Sequence, residues 1–160
     1  MLKKLFSKRK LQIYAPFNGE IMPLSQVPDP VFSQKMMGEG IAMTSKGGNV
    51  HAPIDGTLIL IADTKHAIGI RSKDGTEILI HIGLETVALK GQGFTVMVNQ
   101  DDLVTVGQLL IEVDWDYLRE NAESSITPII ITNSDERLVE YLDLKEGIMG
   151  ETVIMTALPK

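Results

Sequence analysis

The sequence contains no cysteine among its 160 residues. This absence excludes a disulfide-stabilised scaffold, a thiolate metal site and a cysteine nucleophile. Aromatic residues make up only 5% of the chain, so the core must be built from isoleucine, leucine, valine and methionine. Long apolar runs are also missing, because the longest, such as residues 58–62 and 129–131, fall far short of the roughly 20 residues that a membrane-spanning helix needs. The composition predicts a globular domain that does not cross a membrane.

Basic residues are scarce outside the first ten positions. Residues 1–10 carry a charge of +5, whereas the remaining 150 residues hold 10 basic and 21 acidic side chains, a charge of −11. Because nucleic-acid binding requires a clustered basic face, a body this acidic argues against nucleic acid as a partner. The first ten residues also lack the apolar stretch and cleavage site of a secretory signal, which predicts a cytoplasmic protein.

Residues 1–10 are interpreted as a tail, and residues 11–160 as one domain. Helical spacing in the tail would place Leu2, Leu5 and Phe6 on one side and its five basic residues elsewhere. Such an amphipathic pattern favours weak contact with an anionic membrane. A flexible solubilising arm is the alternative.

Short β-type runs separated by Gly, Pro, Asn and Asp dominate the rest of the chain. The predicted strands cover residues 20–24, 40–45, 57–62, 66–72, 76–82, 94–99, 109–113, 126–133 and 152–157. Asp114 is predicted to cap a short helix over Trp115–Asn121, and Ser134 or Asp135 a helical turn that continues through Leu142. This pattern predicts an all-β fold, an antiparallel sandwich or barrel with one or two short helices.

A weak internal repeat accompanies the strands. Residues 15–20 read APFNGE and residues 52–57 read APIDGT, while GEGI at 38–41 resembles GQGF at 91–94. Repeated segments can mark a duplicated supersecondary unit. Pro-x-Asn/Asp-Gly is also ordinary turn chemistry, so chance recurrence is the alternative.

Two of the three histidines, His66 and His81, lie on consecutive predicted strands joined by Asp74-Gly75, a strong hairpin signal. If these two residues form the loop, paired positions sum to 149, and His66 and His81 become diagonal neighbours on one face. Thr64 has the same parity as His66 and could join that face. A slip of one residue would turn the rings to opposite faces.

Three interpretations of this imidazole pair remain open from the pattern alone. Each ring could be an ordinary hydrogen-bonded residue of a half-buried sheet. The pair could hold zinc, although two histidines are too few ligands and no third lies at an obvious spacing. One ring could be a nucleophile toward phosphorus, with the other ring and a hydroxyl stabilising the phosphoryl oxygens. The third histidine, His51, is interpreted as a surface or loop residue.

The segments around both histidines read TKHAIGI at 64–70, EILIHIGLETV at 77–87 and LKGQGF at 89–94. They resemble the glucose-type enzyme IIA family of the bacterial phosphoenolpyruvate-dependent sugar phosphotransferase system. Further similarities cover nearly the whole chain: VPDPVF at 27–32, GEG at 38–40, APIDG at 52–56, Gly107, and Thr127-Pro128. The resemblance implies an antiparallel β-sandwich with a duplicated hybrid motif, in agreement with the repeat.

The resemblance also implies roles for single residues. His81 matches the histidine that accepts a phosphoryl group through Nε2 from the phosphocarrier protein HPr, for onward transfer to a cysteine of a IIB domain. His66 matches the second active-site histidine, and Thr64 the hydroxyl beside it. No cofactor is required, although zinc bridging of the two histidines is conceivable. Without cysteine and membrane spans, the chain is expected to contain neither a IIB nor a IIC domain.

A docking surface for HPr and IIB follows from the same resemblance. It is expected to be apolar around the histidines, with acids at the rim that meet basic residues of the partners. The residues that match such positions are Asp29, Val31, Phe32, Ile61, Glu85 and Val87. Ala62 departs from the family pattern, because some relatives carry an aromatic residue there. The competing interpretation is a non-catalytic β-sandwich module that binds partners or zinc through the same imidazoles.

Overall fold

The computed structural model describes residues 9–160. Within this range the chain is mostly antiparallel β-structure with two short α-helices, which confirms the predicted fold class. The strands are β1 Leu11–Tyr14, β2 Gly19–Pro23, β3 Glu39–Ser45, β4 Val50–His51, β5 Gly56–Ile61, β6 Ala67–Arg71, β7 Glu77–His81, β8 Phe94–Val96, β9 Leu103–Val104, β10 Leu109–Val113, β11 Thr127–Ile131, β12 Arg137–Tyr141, β13 Glu146–Gly147 and β14 Val153–Pro159. The α-helices are α1 Pro30–Ser33 and α2 Trp115–Asn121, and 3₁₀ turns cover Leu24–Gln26, Thr86–Leu89 and Ser134–Glu136.

The strands form one large and two small sheets. The large sheet has the order β13-β2-β3-β11-β7-β6-β5-β9, and the small sheets have the orders β1-β14-β12 and β4-β10-β8. Isoleucine, leucine and valine side chains from all three sheets form the main core, for example Ile13, Ile68, Ile80, Ile111 and Ile154, each at most 1% exposed. This packing confirms that aliphatic residues supply the core volume.

The two similar segments at 15–20 and 52–57 occupy matching positions in the fold. Each leads into the first strand of an antiparallel pair, β2–β3 in one case and β5–β6 in the other. They also make three pairs of equivalent hydrogen bonds. Tyr14 N donates to Pro53 O as His51 N donates to Pro16 O, and Gly150 N donates to Ala15 O as Gly107 N donates to Ala52 O. Met149 N donates to Asn18 Oδ1 as Val106 N donates to Asp55 Oδ1. The repeat is therefore a duplicated motif whose copies face each other.

A second, smaller apolar cluster covers the other face of the large sheet. It contains Leu24, Val27, Phe32, Ala42, Ala67, Leu79, Leu84 and Ile130. The segment that ends in α1 supplies the first three of these residues, and the side chain of Asp29 caps α1 by accepting a hydrogen bond from Val31 N at 3.0 Å. Pro30 at the first helical position suits this short helix, since its missing N–H has no intrahelical partner there. This cluster supports the functional site described below.

The hairpin between β6 and β7 differs from the sequence prediction. Ala67 pairs with His81 and Arg71 with Glu77, so paired positions sum to 148 rather than 149. The loop has three residues, because Gly75 adopts φ +91 and Asp74 accepts hydrogen bonds from the amide and the hydroxyl of Thr76. A three-residue loop with a left-handed glycine adds one residue to the turn and shifts the register by one.

The segment after Ser134 also differs from the prediction. The helical turn predicted to continue through Leu142 ends at Glu136, and residues 137–141 form β12, which pairs with β14 along its whole length. Cross-strand pairing here outweighs the local capping signal. By contrast, Asp114 caps α2 as predicted, accepting from Tyr117 N at 3.0 Å.

The tail prediction falls largely on residues 1–8, which lie outside the described residues. Lys10 is described, and its Nζ forms an ion pair with Glu140 in β12. No helix within residues 9–160 has both the length and the apolar character needed to span a membrane.

Candidate functional site

His81 is the last residue of β7, and its half-buried ring lies over the smaller apolar cluster. The ring of Phe32 lies 5.0 Å away, measured between centroids, and is tilted by 59°. Nδ1 of His81 is 2.8 Å from the carbonyl oxygen of Gly83. Because a carbonyl oxygen only accepts hydrogen bonds, Nδ1 carries the proton and Nε2 of the neutral ring keeps its lone pair. The site therefore holds one imidazole in the tautomer that leaves Nε2 nucleophilic.

His66 lies beside His81, with ring centroids 4.8 Å apart and an edge-to-face angle of 76°. Sheet parity alone would turn the two side chains to opposite faces, because the register pairs position 66 with Ile82. His66 precedes the first residue of β6, however, and follows Lys65 at φ +64. This left-handed residue redirects the chain, so the rings meet even though the predicted register was wrong.

Thr64 joins the pair as predicted. Its Oγ1 lies 2.6 Å from Nδ1 of the buried His66. A hydroxyl can donate to a neutral imidazole nitrogen, and it then leaves the other nitrogen, Nε2, to carry the proton. The two histidines can thus present complementary groups: a lone pair on one ring and an N–H on the other.

A tightly bonded loop follows His81 and holds the site in place. The amide of Ile82 donates to the carbonyl of His66 at 2.7 Å, and the hydroxyl of Thr86 donates to the carbonyl of Ile82 at 2.7 Å. The amide of Leu84 donates to the carbonyl of Ser124 at 2.9 Å. These bonds tie both histidines to the same short segment.

Burial controls the charge of both rings. It lowers the pKa of His81, and the bond to Gly83 and the negative charges of Asp29 and Glu85 oppose this effect only in part. Burial also lowers the pKa of His66, and the neighbouring His81 lowers it further. Both imidazoles are therefore neutral at pH 7, which is the state that a nucleophilic nitrogen requires.

Four of the predicted docking residues have positions that suit a docking surface around the histidines. Val31 and Val87 are exposed, at 39% and 54%. Asp29 caps α1, and Glu85 adopts φ 57 just before the 3₁₀ turn Thr86–Leu89. The negative charges of both carboxylates act to raise the pKa of His81, against the effect of burial.

The other two predicted docking residues are placed differently. Phe32 is only 3% exposed, so it supports the His81 ring from below and offers little contact surface. Ile61 pairs with Ile68 and packs against the main core, on the face opposite His81. Phe32 is buried and Ile61 is half-buried, so each offers less surface than Val31 or Val87, and the docking role of both residues stays a prediction.

Sequence reasoning missed Leu60 as an exposed residue on the histidine face. Leu60 pairs with Gly69, which shares a face with Ala67, and is 45% exposed. A register shift between Leu58 and Leu60 brings it to this face. No signal in the sequence distinguishes Leu60 from its apolar neighbours Ile59 and Ile61.

His51 lies apart from this pair. It ends β4, is half-buried, and its Nδ1 is 3.0 Å from the carbonyl oxygen of Asn49. It was interpreted as a surface or loop residue; it is a partly exposed strand residue that pairs with Leu109 of β10. Within residues 9–160, no group of three or more His, Cys, Asp or Glu side chains is arranged to hold a metal ion.

Comparison with known proteins places this chain in a family. The model of the family described as phosphoenolpyruvate-dependent sugar phosphotransferase system, EIIA 1, matches residues 11–137. The chain is 47% identical to the PTS system glucose-specific EIIA component of Oceanobacillus iheyensis over 161 residues, covering 97% of this chain and 98% of that relative.

A longer relative and a solved structure agree with that match. The PTS system glucose-specific EIICBA component of Staphylococcus carnosus is 51% identical over 143 residues, which are 89% of this chain and 21% of the relative. The chain thus spans about a fifth of that relative's length. The glucose permease IIA from Mycoplasma capricolum superimposes with a TM-score of 0.87 at 40% identity, covering 92% of this chain and 96% of that one.

Proposed function

The chain belongs to the EIIA 1 family of the phosphoenolpyruvate-dependent sugar phosphotransferase system, and from this membership we propose that it carries a phosphoryl group on Nε2 of His81. The donor is phospho-HPr and the acceptor is a cysteine of a IIB domain, during uptake of glucose-type sugars. One observation carries the assignment of the atom: Nδ1 of His81 is occupied by the carbonyl of Gly83, which leaves Nε2 as the nucleophile.

Uptake of the phosphoryl group by His81 is an exchange of one phosphorus–nitrogen bond for another. The lone pair on Nε2 of His81 attacks the phosphorus of phospho-HPr, and the leaving histidine of HPr keeps the electron pair of the broken bond. The proton on Nδ1 stays in its hydrogen bond to Gly83 throughout. In the onward step a IIB thiolate attacks phosphorus, and the electron pair of the broken bond returns to Nε2.

His66 acts through a hydrogen bond and forms no bond to phosphorus. With Thr64 at its Nδ1, the ring carries its proton on Nε2 and can donate it to a phosphoryl oxygen. Such a preorganised donor stabilises charge that develops on the oxygens during transfer. Thr64 is a positioning residue in this scheme, because it acts through His66.

The docking surface that we propose surrounds the two rings. Its apolar part consists of Val31, Leu60 and Val87, and its rim carries Asp29 and Glu85. Apolar contacts of this kind exclude water, and the carboxylates suit partners that present basic residues. We place the transfer in the cytoplasm, together with the HPr donor.

Zinc is not needed for this reaction. The two imidazoles supply two nitrogen ligands, whereas zinc sites usually hold three or four protein ligands. If zinc bridges His66 and His81, a partner or water must complete its coordination.

Label transfer tests the assignment. The chain should take up ³²P from phospho-HPr, and phosphorus NMR should place it on Nε2 of the imidazole. His81→Ala should abolish uptake, while His51→Ala, a matched histidine change away from the site, should leave it intact. Uptake by His81→Ala, or none by the unaltered chain, would contradict the proposal.

A further inference from the structure

The peptide group between Ile82 and Gly83 is bonded at both ends by threonine side chains. Its carbonyl, on Ile82, accepts from the hydroxyl of Thr86 at 2.7 Å. Its N–H, on Gly83, donates to the hydroxyl of Thr127 at 3.4 Å. Both threonines are 0% exposed, so neither hydroxyl is open to solvent. Because its hydrogen bond is much the shorter, Thr86 is the main constraint on this peptide group.

The next peptide group carries the acceptor for His81. Its carbonyl, on Gly83, lies 2.8 Å from Nδ1 of His81. Its N–H, on Leu84, donates to the carbonyl of Ser124 at 2.9 Å. Since peptide groups are planar, only φ and ψ of Gly83 relate this carbonyl to the peptide group that Thr86 holds.

Glycine by itself does not fix those two angles. Gly83 has φ +77, and glycine populates positive and negative φ about equally. A Cβ at this position would lie 2.6 Å from the methyl carbon Cγ2 of Thr86. One side chain therefore requires glycine at position 83 through its methyl group and restrains that glycine through its hydroxyl.

We propose that Thr86 is a positioning residue for phosphoryl transfer at His81. Its hydroxyl holds the peptide group before Gly83, so the carbonyl of Gly83 keeps the proton of His81 on Nδ1 and leaves the lone pair on Nε2. Thr127 supports the same peptide group from its other end. Because Thr86 is wholly buried, it acts through Gly83 and offers no surface to a partner protein. This inference rests on the proposed nucleophile and adds the residue that maintains its tautomer.

Nitrogen-15 NMR of the imidazole rings at pH 8 tests this role without any phosphoryl transfer. The unaltered chain should show His81 as a single tautomer that is protonated on Nδ1. Thr86→Val keeps the shape of the side chain but leaves the carbonyl of Ile82 without its donor, so His81 should become a mixture of both tautomers. Thr86→Ser restores a hydroxyl and should restore the single tautomer.

The rate of uptake from phospho-HPr should follow the tautomer of His81. In Thr86→Val, kcat should fall by about 2- to 13-fold, the rate equivalent of one hydrogen bond, because fewer His81 rings have a free Nε2. KM should stay unchanged, since the buried side chain does not contact the donor protein. Thr152→Val is the matched control: it removes a hydroxyl that accepts from Ile148 N at 2.8 Å just before β14. It should change neither kcat nor the tautomer.

Thr127→Val probes the same peptide group from its other end and serves as the second variant if Thr86→Val does not fold. It removes the acceptor of Gly83 N, and a mixture of His81 tautomers is again expected. A single Nδ1–H tautomer in Thr86→Val, or in Thr127→Val where only that variant folds, would overturn the inference. So would a loss of kcat in Thr86→Val that Thr86→Ser does not recover. Failure of the unaltered chain to take up label would instead contradict the proposed function, because the tautomer is measured independently of transfer.

Discussion

Nδ1 of His81 lies 2.8 Å from the carbonyl oxygen of Gly83, and this contact depends on a backbone conformation that only glycine adopts freely. Gly83 has φ +77. A Cβ at this position would lie 2.6 Å from Cγ2 of Thr86 and 2.9 Å from the carbonyl oxygen of Ser124. The residue two positions after the proposed nucleophile therefore sets which ring nitrogen is free.

Gly83→Ala is expected to lower the free energy of unfolding and to slow phosphoryl uptake. The loss should reach about 2–4 kcal/mol, from left-handed strain of about 1 kcal/mol and overpacking of about 1–3 kcal/mol. Urea unfolding measures this loss of stability. Gly107→Ala is the control, because Gly107 has φ +88 but open space around its Cα, so only strain of about 1 kcal/mol applies. Equal losses in the two variants would show that the contacts around Gly83 do not matter.

Thr64→Val should slow onward transfer to IIB and leave uptake nearly unchanged. The variant keeps the shape of the side chain and removes the hydroxyl at Nδ1 of His66. A hydrogen bond of about 0.5–1.5 kcal/mol corresponds to a rate loss of roughly 2- to 13-fold. Nitrogen-15 NMR of His66 should show a mixture of tautomers in this variant, a change that a purely structural role would not produce.

Thr64→Ser is the rescue variant, since it restores a hydroxyl. We expect it to recover both the rate of onward transfer and the single tautomer. If valine and serine behave alike, Thr64 does not orient His66.

The fold class and the histidine pair could be predicted from the sequence, because strand periodicity, turn residues and the family resemblance are all local signals. The register of the β6–β7 hairpin could not be predicted. Asp74-Gly75 suits loops of two or three residues, and the choice depends on the bonds that Asp74 makes to Thr76. The meeting of the rings depends on Lys65 at φ +64, a conformation that lysine rarely adopts.

The exposure of the proposed docking residues could not be predicted from the sequence, since it depends on which face each apolar residue occupies. Ile61 and Leu60 are neighbours in sequence, but the register shift in β5 gives the histidine face to Leu60. Phe32 is buried because α1 folds its ring under His81. A sequence pattern shows that such residues are apolar, whereas only the packed structure shows which one remains exposed.

The depressed pKa values of His66 and His81 predict a pH dependence for uptake. Both pKa values lie below the ordinary value of 6.5. His81 therefore stays neutral and nucleophilic at pH 7 and is protonated only in more acidic solution. The uptake rate should be flat between about pH 7 and 8 and fall below pH 6.5, in step with the His81 NMR titration. A rate that declines already between pH 8 and 7 would contradict the neutral assignment.

The same shifts affect stability. Below pH 6.5 the unfolded chain binds protons that the folded histidines still exclude, so the free energy of unfolding should fall as the pH is lowered from this value. From about pH 7.5 upward both states are almost entirely neutral at these residues, and their contribution is constant. His66→Gln combined with His81→Gln should show a smaller fall between pH 6.5 and 5 in urea unfolding. An identical pH profile in the unaltered chain and the variant would mean that neither histidine is shifted.

His66→Ala should separate the two half-reactions. The ring of His66 lies 4.8 Å from that of His81 but forms no bond to phosphorus in the proposed scheme. Uptake exchanges one phosphohistidine for another of similar energy, so it should survive the loss of His66. Transfer to the IIB thiolate needs the phosphoryl oxygens stabilised while the group leaves Nε2, and loss of one preorganised donor slows such a step by about 10²–10³-fold.

Two measurements on the one variant decide this division of roles. The chain is labelled from phospho-HPr, separated from the donor, and then chased with a IIB domain, with His51→Ala as the matched control. The expected result is a labelled His66→Ala protein that releases its phosphoryl group slowly, beside a control that releases it at the unaltered rate. A His66→Ala protein that takes no label, beside a His81→Ala protein that does, would reverse the two assignments, because the nitrogen that bonds phosphorus cannot be dispensable for uptake.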